Sequence, residues 1–469
     1  MALYIGRTKY APTKALYRGF WSVTIHGFAG TTVEFNGTKQ YIGSNESTVF
    51  KVTLPGNYII RATRNGEEKT RMLIITAQDS DYIKEIGMYV GFKEVQYLES
   101  TGTQYIDTGF APNQDTKTEL VAQYLDLSQH SIFFGTRTTG STEVYTVQKV
   151  SNGKWQMGYG TQAPSFGTAD TNKHTFLKDK NKQYLDGSLV GDYTYKTFQC
   201  PQTAGIFGWN SVGTQIAAAP IRVFSCKMWD NGTLIRDYIP VVDDTNTPCL
   251  YDRVSQQMYY NAGTGTFVAG PDMYQELEYI QGTCNVQYIN TGIVPTTDMK
   301  IYVKCGVVST VSGASYSPFG SRETGGASDG IGIFVGSGNN TRVDSFYFLS
   351  SSSDRWQVNN VAAVGDVYET TFDGATQTLS KNGTLLGSHT YTPVNTTTQP
   401  MYVNALNNAG ALQSGQWGSR IYHFTVEGYI DLIPVKRLSD NAVGMYDVVN
   451  NRFYGNAGTG SFTAGPAKE

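Results

Sequence analysis

The strongest constraint on this chain is that about the last four-fifths of it is one unit written twice. Tyr97-Leu98-Glu99-Ser100-Thr101-Gly102-Thr103-Gln104-Tyr105-Ile106-Asp107-Thr108-Gly109 returns as Tyr279-Ile280-Gln281-Gly282-Thr283-Cys284-Asn285-Val286-Gln287-Tyr288-Ile289-Asn290-Thr291-Gly292, one residue longer. Asn261-Ala262-Gly263-Thr264-Gly265-Thr266-Phe267 near the end of the first unit returns as Asn456-Ala457-Gly458-Thr459-Gly460-Ser461-Phe462. The period is roughly 180–190 residues, far above the 20–50 of solenoids, so each unit is a whole domain. Tandem domains raise avidity or set spacing without any new contact.

The two copies also compare themselves. Phe134-Gly135-Thr136-Arg137 matches Phe319-Gly320-Ser321-Arg322, and Tyr238-Ile239-Pro240-Val241 matches Leu432-Ile433-Pro434-Val435. Residues 138–180 and 323–375 share almost no wording. Loops on a rigid scaffold vary and carry function, so these middles are expected to be binding loops.

Composition decides the fold class. Tyr occurs 32 times and Gly 51 times, while charged residues are only 16%. Tyr and Thr favour strands; Gly, Asn and Ser favour turns. Short strand-like runs separated by Asn-Gly or Asp-Gly predict sandwiches, with no amphipathic helix. The expected organisation is an arm over 1–20, a small β-sandwich over 21–77, a linker over 78–93, and two jelly-roll sandwiches over 94–272 and 273–469. Trp21-Ser22-Val23-Thr24-Ile25 and the Asn36-Gly37 and Asn65-Gly66 turns define the small one.

The net charge of −3, without a basic run, gives no electrostatic footprint for nucleic acid. No apolar stretch of roughly 18 residues is present, so no membrane insertion is expected. Met1-Ala2-Leu3-Tyr4-Ile5-Gly6-Arg7 does not read as a secretory signal. Cys200, Cys226, Cys249, Cys284 and Cys305 are odd in number and lack CxxC spacing, which predicts buried free thiols.

The opening motif, the Phe-Gly-Thr-Arg strand, the Asp186-Gly187 hairpin and the Asn-Ala-Gly-Thr-Gly ending together resemble the concanavalin A-like lectin/glucanase fold in its laminin-G-like form. The unit looks like a family found in proteins of tailed bacteriophages and gut bacteria. The run Leu54-Pro55-Gly56-Asn57-Tyr58-Ile59-Ile60-Arg61-Ala62 resembles small immunoglobulin-like modules of surface and virion proteins. These resemblances imply a virion or surface component and name no ligand, because such folds carry many functions.

The chemistry is read against that background. Glycoside hydrolysis needs two facing carboxylates. Glu276-Leu277-Glu278 has the spacing, but its first-copy counterpart, Lys93-Glu94-Val95-Gln96, does not keep it. Five scattered histidines form no HxH or HExxH motif, and Asp186-Gly187 and Asp243-Asp244 read as turn carboxylates and supply no calcium ligand run. No catalytic residue, metal or cofactor is therefore expected. Aromatic loop residues are the better signal for sugar stacking: Trp155 and Tyr159, Trp209 with Asn210, and Trp417. Trp155-Gln156 and Trp356-Gln357 stand at comparable places, which favours a core role for them. Trp209 faces Val403-Asn404-Ala405-Leu406 in the other copy and is the leading platform candidate, with a core role as its competitor.

The expected function is a non-enzymatic structural protein on a phage surface, of fibre or decoration type. It would adhere weakly to cell-surface or mucosal glycans and assemble as a homo-oligomer in the host cytoplasm before display on the extracellular particle. The arm and immunoglobulin-like module would bind other virion proteins, and the two lectin-like sandwiches would project outward. A purely stabilising decoration protein and a polysaccharide-cleaving enzyme are the alternatives.

Overall fold

A computed structural model describes residues 4–5, 8–9, 20–76, 83–128, 131–138, 143–212, 214–217, 220–323, 329–412 and 416–468. Most of the arm and residues 78–82 of the expected linker lie outside the described residues. The chain is all-β: a small two-sheet sandwich is followed by two tandem jelly-roll sandwiches. The described helical content is one turn at Ser337–Asn340 and a 3-10 turn at Ser352–Asp354.

In the small sandwich, strands Ser47–Val52, Trp21–His26 and Ile83–Gly87 form one sheet. Strands Thr38–Tyr41, Thr32–Phe35, Gly56–Arg64 and Glu67–Ile75 form the other. Alternation sets the faces: Trp21, Val23 and Ile25 point inward onto Val33, Phe35 and Ile60. The Asn36-Gly37 and Asn65-Gly66 hairpins have positive φ at both residues, the geometry that Asn-Gly supplies most readily. One expectation is corrected here. Residues 83–87 are a strand and not part of a connector, paired in parallel with Trp21–His26 from Ser22↔Ile83 to His26↔Gly87. Ile86, Met88 and Val90 enter the core. A lone edge strand with one buried face shows too few apolar residues to stand out in sequence.

Each repeat stacks a larger sheet on a smaller one. The first repeat's larger sheet runs Ser188–Asp192, Lys182–Leu185, Lys173–Asp179, Lys117–Tyr124, Ile221–Asp230, Thr233–Val242, Pro248–Asp252, Gln257–Tyr259. Its smaller sheet runs Ile106–Asp107, Gly205–Ile206, Ser131–Arg137, Val144–Lys149, Trp155–Gly160, Ser165–Phe166. The second repeat has the same orders, and its smaller sheet runs Ile289–Asn290, Tyr402–Val403, Phe319–Arg322, Ile331–Gly336, Arg342–Tyr347, Trp356–Asn359. Between the sheets of the first repeat lies an aromatic column, with Tyr124 stacked on Phe133 at 3.8 Å and on Trp155 at 5.6 Å.

The divergent middles are corrected too. Within 138–180 and 323–375 lie strands that occupy the same places in both smaller sheets, and most of their residues are buried. Backbone pairing fixes their positions, and apolar residues of several shapes fill the interior, so the wording drifts while the strand stays.

The three sandwiches are packed together. Glu94, buried at the junction, receives Arg253 Nη2 at 3.2 Å and the Tyr446 hydroxyl of the second repeat at 2.5 Å. The small sandwich meets the first repeat through Tyr89 and Phe92 against Tyr251, and through the Arg64–Asp244 ion pair. It meets the second repeat through the Arg61–Glu427 ion pair and a 2.8 Å hydrogen bond from Met72 N to Gly428 O. A side chain at Gly428 would approach Met72 N to 2.9 Å, and φ is +80°, so glycine fits both the turn and the contact.

Candidate functional site

The five residues singled out from the sequence are all buried. Trp155 is the end of the aromatic column and also meets Phe176 edge-on at 5.2 Å. Tyr159 donates its hydroxyl to Gln114 O at 3.0 Å and packs edge-on against Phe198. Trp417 donates Nε1 to Val311 O at 3.1 Å. Trp209 is 4% exposed, packed on Ile132 and covered by the Arg137 guanidinium 4.1 Å above its ring. Asn210 lies beside it on the strand Gly208–Ser211. None presents a free face to a sugar, which corrects the stacking-platform reading. The physical reason differs by place: Trp155, Tyr159 and Trp417 fill the space between two sheets, where large rings gain most, while Trp209 is sealed against Ile132 under Arg137 in a separate small cluster.

Register also separates the tryptophans. Gly135 faces Thr146, as Gly320 faces Gly332. Counting three residues on, Lys149 corresponds to Val335, so their partners Trp155 and Val343 correspond. Trp356 sits one strand further out, opposite Ser345, and is not the counterpart of Trp155. Trp209 corresponds to Leu406, because Asn210 faces Thr136 as Asn407 faces Ser321.

An open concavity lies between the small sandwich and the second repeat. It is a cleft of about 310 Å³ lined by Glu68, Lys69 and Thr70 on one side, and by Lys300, Tyr302, Thr425, Glu427 and Asp431 among others on the opposite side. This is the lower end of the range for small-ligand pockets. The sequence did not point to it, because its two walls are about 230 residues apart and their contact is tertiary.

The cleft's polar groups are held in place. Tyr302 donates its hydroxyl to Glu369 Oε2 at 3.0 Å, and its ring meets His423 edge-on at 5.5 Å. His423 Nε2 lies 2.5 Å from Asp431 Oδ1 and 3.2 Å from Thr425 Oγ1. Lys69 is buried; its Nζ reaches Tyr89 O at 3.5 Å, so its stem lines the cleft while its amine turns toward the domain junction. Burial, reinforced by Arg71, pushes that amine down to about 7. Burial raises the Tyr302 hydroxyl, with Glu369 adding to the shift. Carboxylates, the Lys300 side chain, threonine and tyrosine hydroxyl groups and a ring edge thus line one concavity, a set suited to hydrogen-bonding a polyhydroxylated ligand. A second cleft of about 190 Å³ lies between the small sandwich and the first repeat, near Arg64, Lys93 and Asp243.

The cysteines are buried and free of disulfides. Burial pushes the thiols of Cys200, Cys284 and Cys305 up to about 12. Among the described residues no three His, Cys, Asp or Glu side chains converge as a metal-binding group. No described helix is long and apolar enough to cross a membrane.

No protein-family model matches the chain, and no curated protein does. Solved structures similar to it include domains LG4-5 of the mouse laminin α1 chain, at 12% identity and a TM-score of 0.24, covering 81% of this chain and 95% of that one. The LG1-3 region of the laminin α2 chain is similar at 10% identity and a TM-score of 0.27, covering 95% and 96%. Trypanosoma rangeli sialidase is similar at 9% identity and a TM-score of 0.22, covering 90% and 85%. At these values no residue, ligand or activity carries across.

Proposed function

We propose that this chain is a non-enzymatic structural protein displayed on the surface of a phage particle, as a fibre or decoration component that adheres weakly to glycans. The observation that carries the adhesive part is the cleft between the small sandwich and the second repeat, with Tyr302, Thr425 and Asp431 facing Glu68 and Thr70. It replaces the buried tryptophans as the place where a sugar is held. The particle assignment rests on the wording of the repeats and on the tandem, strand-rich build with a small module that resembles the immunoglobulin-like type. In this reading the arm and small module bind other virion proteins, several chains assemble together, and no cofactor is used.

A shallow polar cleft returns little net free energy after desolvation. Millimolar to high-micromolar dissociation constants are expected for one chain, on the order of −4 to −6 kcal/mol. Multivalent display raises avidity by about 10²–10⁴ where geometry allows. The test is a glycan array probed with the full chain, the Tyr302→Ala variant and the cleft-filling Thr425→Trp variant. Retention that both variants lose, with unfolding curves unchanged, supports the reading. Retention unaffected by both moves the site elsewhere, and no retention on any glycan leaves a purely stabilising decoration role. Reducing-end release that disappears on changing one Glu or Asp would establish the hydrolytic alternative.

A further inference from the structure

The larger sheet of each repeat has an outer face, and one group on it is built alike in both copies. In the first repeat the Arg222 guanidinium lies 4.3 Å over the Tyr97 ring, and Tyr97 meets Phe224 edge-on at 5.5 Å. In the second, Arg420 lies 4.2 Å over Tyr279, and Tyr279 meets Tyr422 edge-on at 5.5 Å. Register makes them counterparts: Glu99 faces Arg222 as Gln281 faces Arg420. These arginines and rings are all half-buried, so none of them fills the core.

Around this common frame the two copies differ in charge. Arg222 donates from Nε to Glu99 Oε2 at 2.8 Å, a carboxylate that balances it. Arg420 donates from Nε to Gln281 Oε1 at 3.1 Å, a neutral amide. Among the described residues no carboxylate pairs with Arg420, and its terminal nitrogens have no hydrogen-bond partner. Across the neighbouring strand Lys300–Ser309 the carboxylates are engaged: Glu369 by Lys304 at 3.2 Å and by Tyr302 at 3.0 Å, and Asp366 by Lys381 at 2.8 Å.

The copies differ in access too. Gln123 faces Arg222, and Gly306 faces Arg420. Gln123 Nε2 donates to Thr171 O at 2.8 Å, and Lys173 Nζ stands 5.0 Å over the Phe224 ring, so the first copy is covered. A side chain at Gly306 would come to 3.2 Å from Tyr422 Cε2 and 3.4 Å from its hydroxyl. The Tyr422 ring therefore lies over the Gly306 backbone and turns its other side to solvent. Lys304 Nζ is 6.0 Å from that ring, at the limit of a cation–π contact, and is held by Glu369.

A guanidinium fixed by a ring beneath it and a hydrogen bond at Nε loses little freedom when it takes a ligand. Its open edge is the two-donor fork that matches a carboxylate. The tyrosine beside it offers a flat apolar surface with a polar tip.

We propose that Arg420 and Tyr422 form a binding site for a carboxylate-bearing sugar, whose acid group pairs with the guanidinium edge while its C–H face rests on the tyrosine ring. The charge of Arg420 selects the acid, and the ring selects a sugar over a small anion. The first repeat, with Glu99, Gln123 and Lys173 in these places, does not share the preference. The site lies on the same strand as Thr425 of the cleft but outside the cleft lining, and stands or falls separately from it.

The test is a ligand-observed NMR titration of the full chain, at constant ionic strength, with a galacturonate dimer and with its methyl ester, the same sugar without the charge. The acid is expected to bind about tenfold more tightly than the ester, and less tightly in a second series at higher salt. Gln281→Glu gives Arg420 the partner that Arg222 has, and should weaken the acid about tenfold while leaving the ester unchanged. Arg420→Gln should do the same, and Tyr422→Ala should weaken both sugars. Tyr302→Ala should leave binding of the acid unchanged. Equal binding of acid and ester, no binding of the acid, or full acid binding by Gln281→Glu, Arg420→Gln or Tyr422→Ala would overturn the assignment. So would loss of acid binding in Tyr302→Ala, which would put the acid in the cleft. If Arg420→Gln does not fold, Gln281→Glu still decides, because the first repeat already folds around the same Arg–Glu pair.

Discussion

The two repeats share a strand order but fill it differently, and the interior shows this as clearly as the outer faces do. Register pairs Lys178 of the first repeat with Phe372 of the second, since Thr118 faces Lys178 as Ile301 faces Phe372. It pairs His174 with Tyr368 in the same way. The first copy thus buries an amine and half-buries an imidazole where the second has aromatic rings. Lys178 is fully buried, its Nζ donates to Gly158 O, and burial lowers its pKa to about 7. His174 sits between Asp186 at 2.6 Å and Asp170 at 2.9 Å. Burial lowers its pKa, but the two carboxylates outweigh this and raise it. A duplicated fold therefore tolerates changes of charge at interior positions, provided the backbone pairing stays.

The largest expected effect tests the register itself. Trp155→Ala, made in the full chain, should cost about 3–5 kcal/mol in denaturant unfolding. Val343→Ala at the corresponding place should cost less, because fewer buried atoms are removed. Trp356→Ala should also cost less, since that ring is only partly buried. If Trp356→Ala proves as costly as Trp155→Ala, the assigned correspondence is in doubt.

The next effect sharpens the contrast at Lys178. A lysine whose folded pKa is about 7, against an ordinary 10.5, carries its full burial cost below pH 7 and sheds it as pH rises toward 10.5. Lys178→Met should therefore stabilise the chain at pH 6–7, by about 1–3 kcal/mol on the scale of buried polar groups. The gain should fade by pH 10. Stability measured from pH 6 to 10 in both proteins checks the slope, and a gain that does not depend on pH would break the assignment.

The smallest effect has the opposite sign with pH. The raised pKa of His174 gives stability that is present below the ordinary value of 6.5 and lost as pH rises through the folded value. Its partners are about half exposed, so screening keeps the term at about 0.5–1 kcal/mol. His174→Phe should destabilise at pH 5–6 and be nearly neutral at pH 8.5. Chemical shifts of the His174 ring during titration give the direction independently.

These contrasts explain what could be read from sequence. The duplication, the all-β class and the Asn-Gly hairpins were legible because each rests on local wording or on two copies agreeing. The strand Ile83–Gly87 was not, because its partner lies some sixty residues away and it buries one face. For Trp209 and Trp155 a core role and a stacking role were both legible but the choice between them was not, since a sequence does not say which side of a sheet a ring lies on until the pairing is known. The cleft was invisible for a further reason: Thr70 and Tyr302 become neighbours only after the small sandwich has packed on the second repeat.

Gly428 and Gly232 occupy the same hairpin of the two copies, yet only Gly428 is seated against Met72; a side chain at Gly232 would meet open space. The small sandwich thus treats two modules of the same strand order as different objects, one as a seat and one as a flank. Duplicated genes are prone to recombine with themselves, trading segments or losing a copy. Here such an exchange would put an Asn231-Gly232-Thr233 tip where Glu427-Gly428-Tyr429 is needed, and would remove the Glu427 partner of Arg61. The order of the modules is thereby inherited as a single trait, and the second copy cannot be discarded without leaving the small sandwich half undocked.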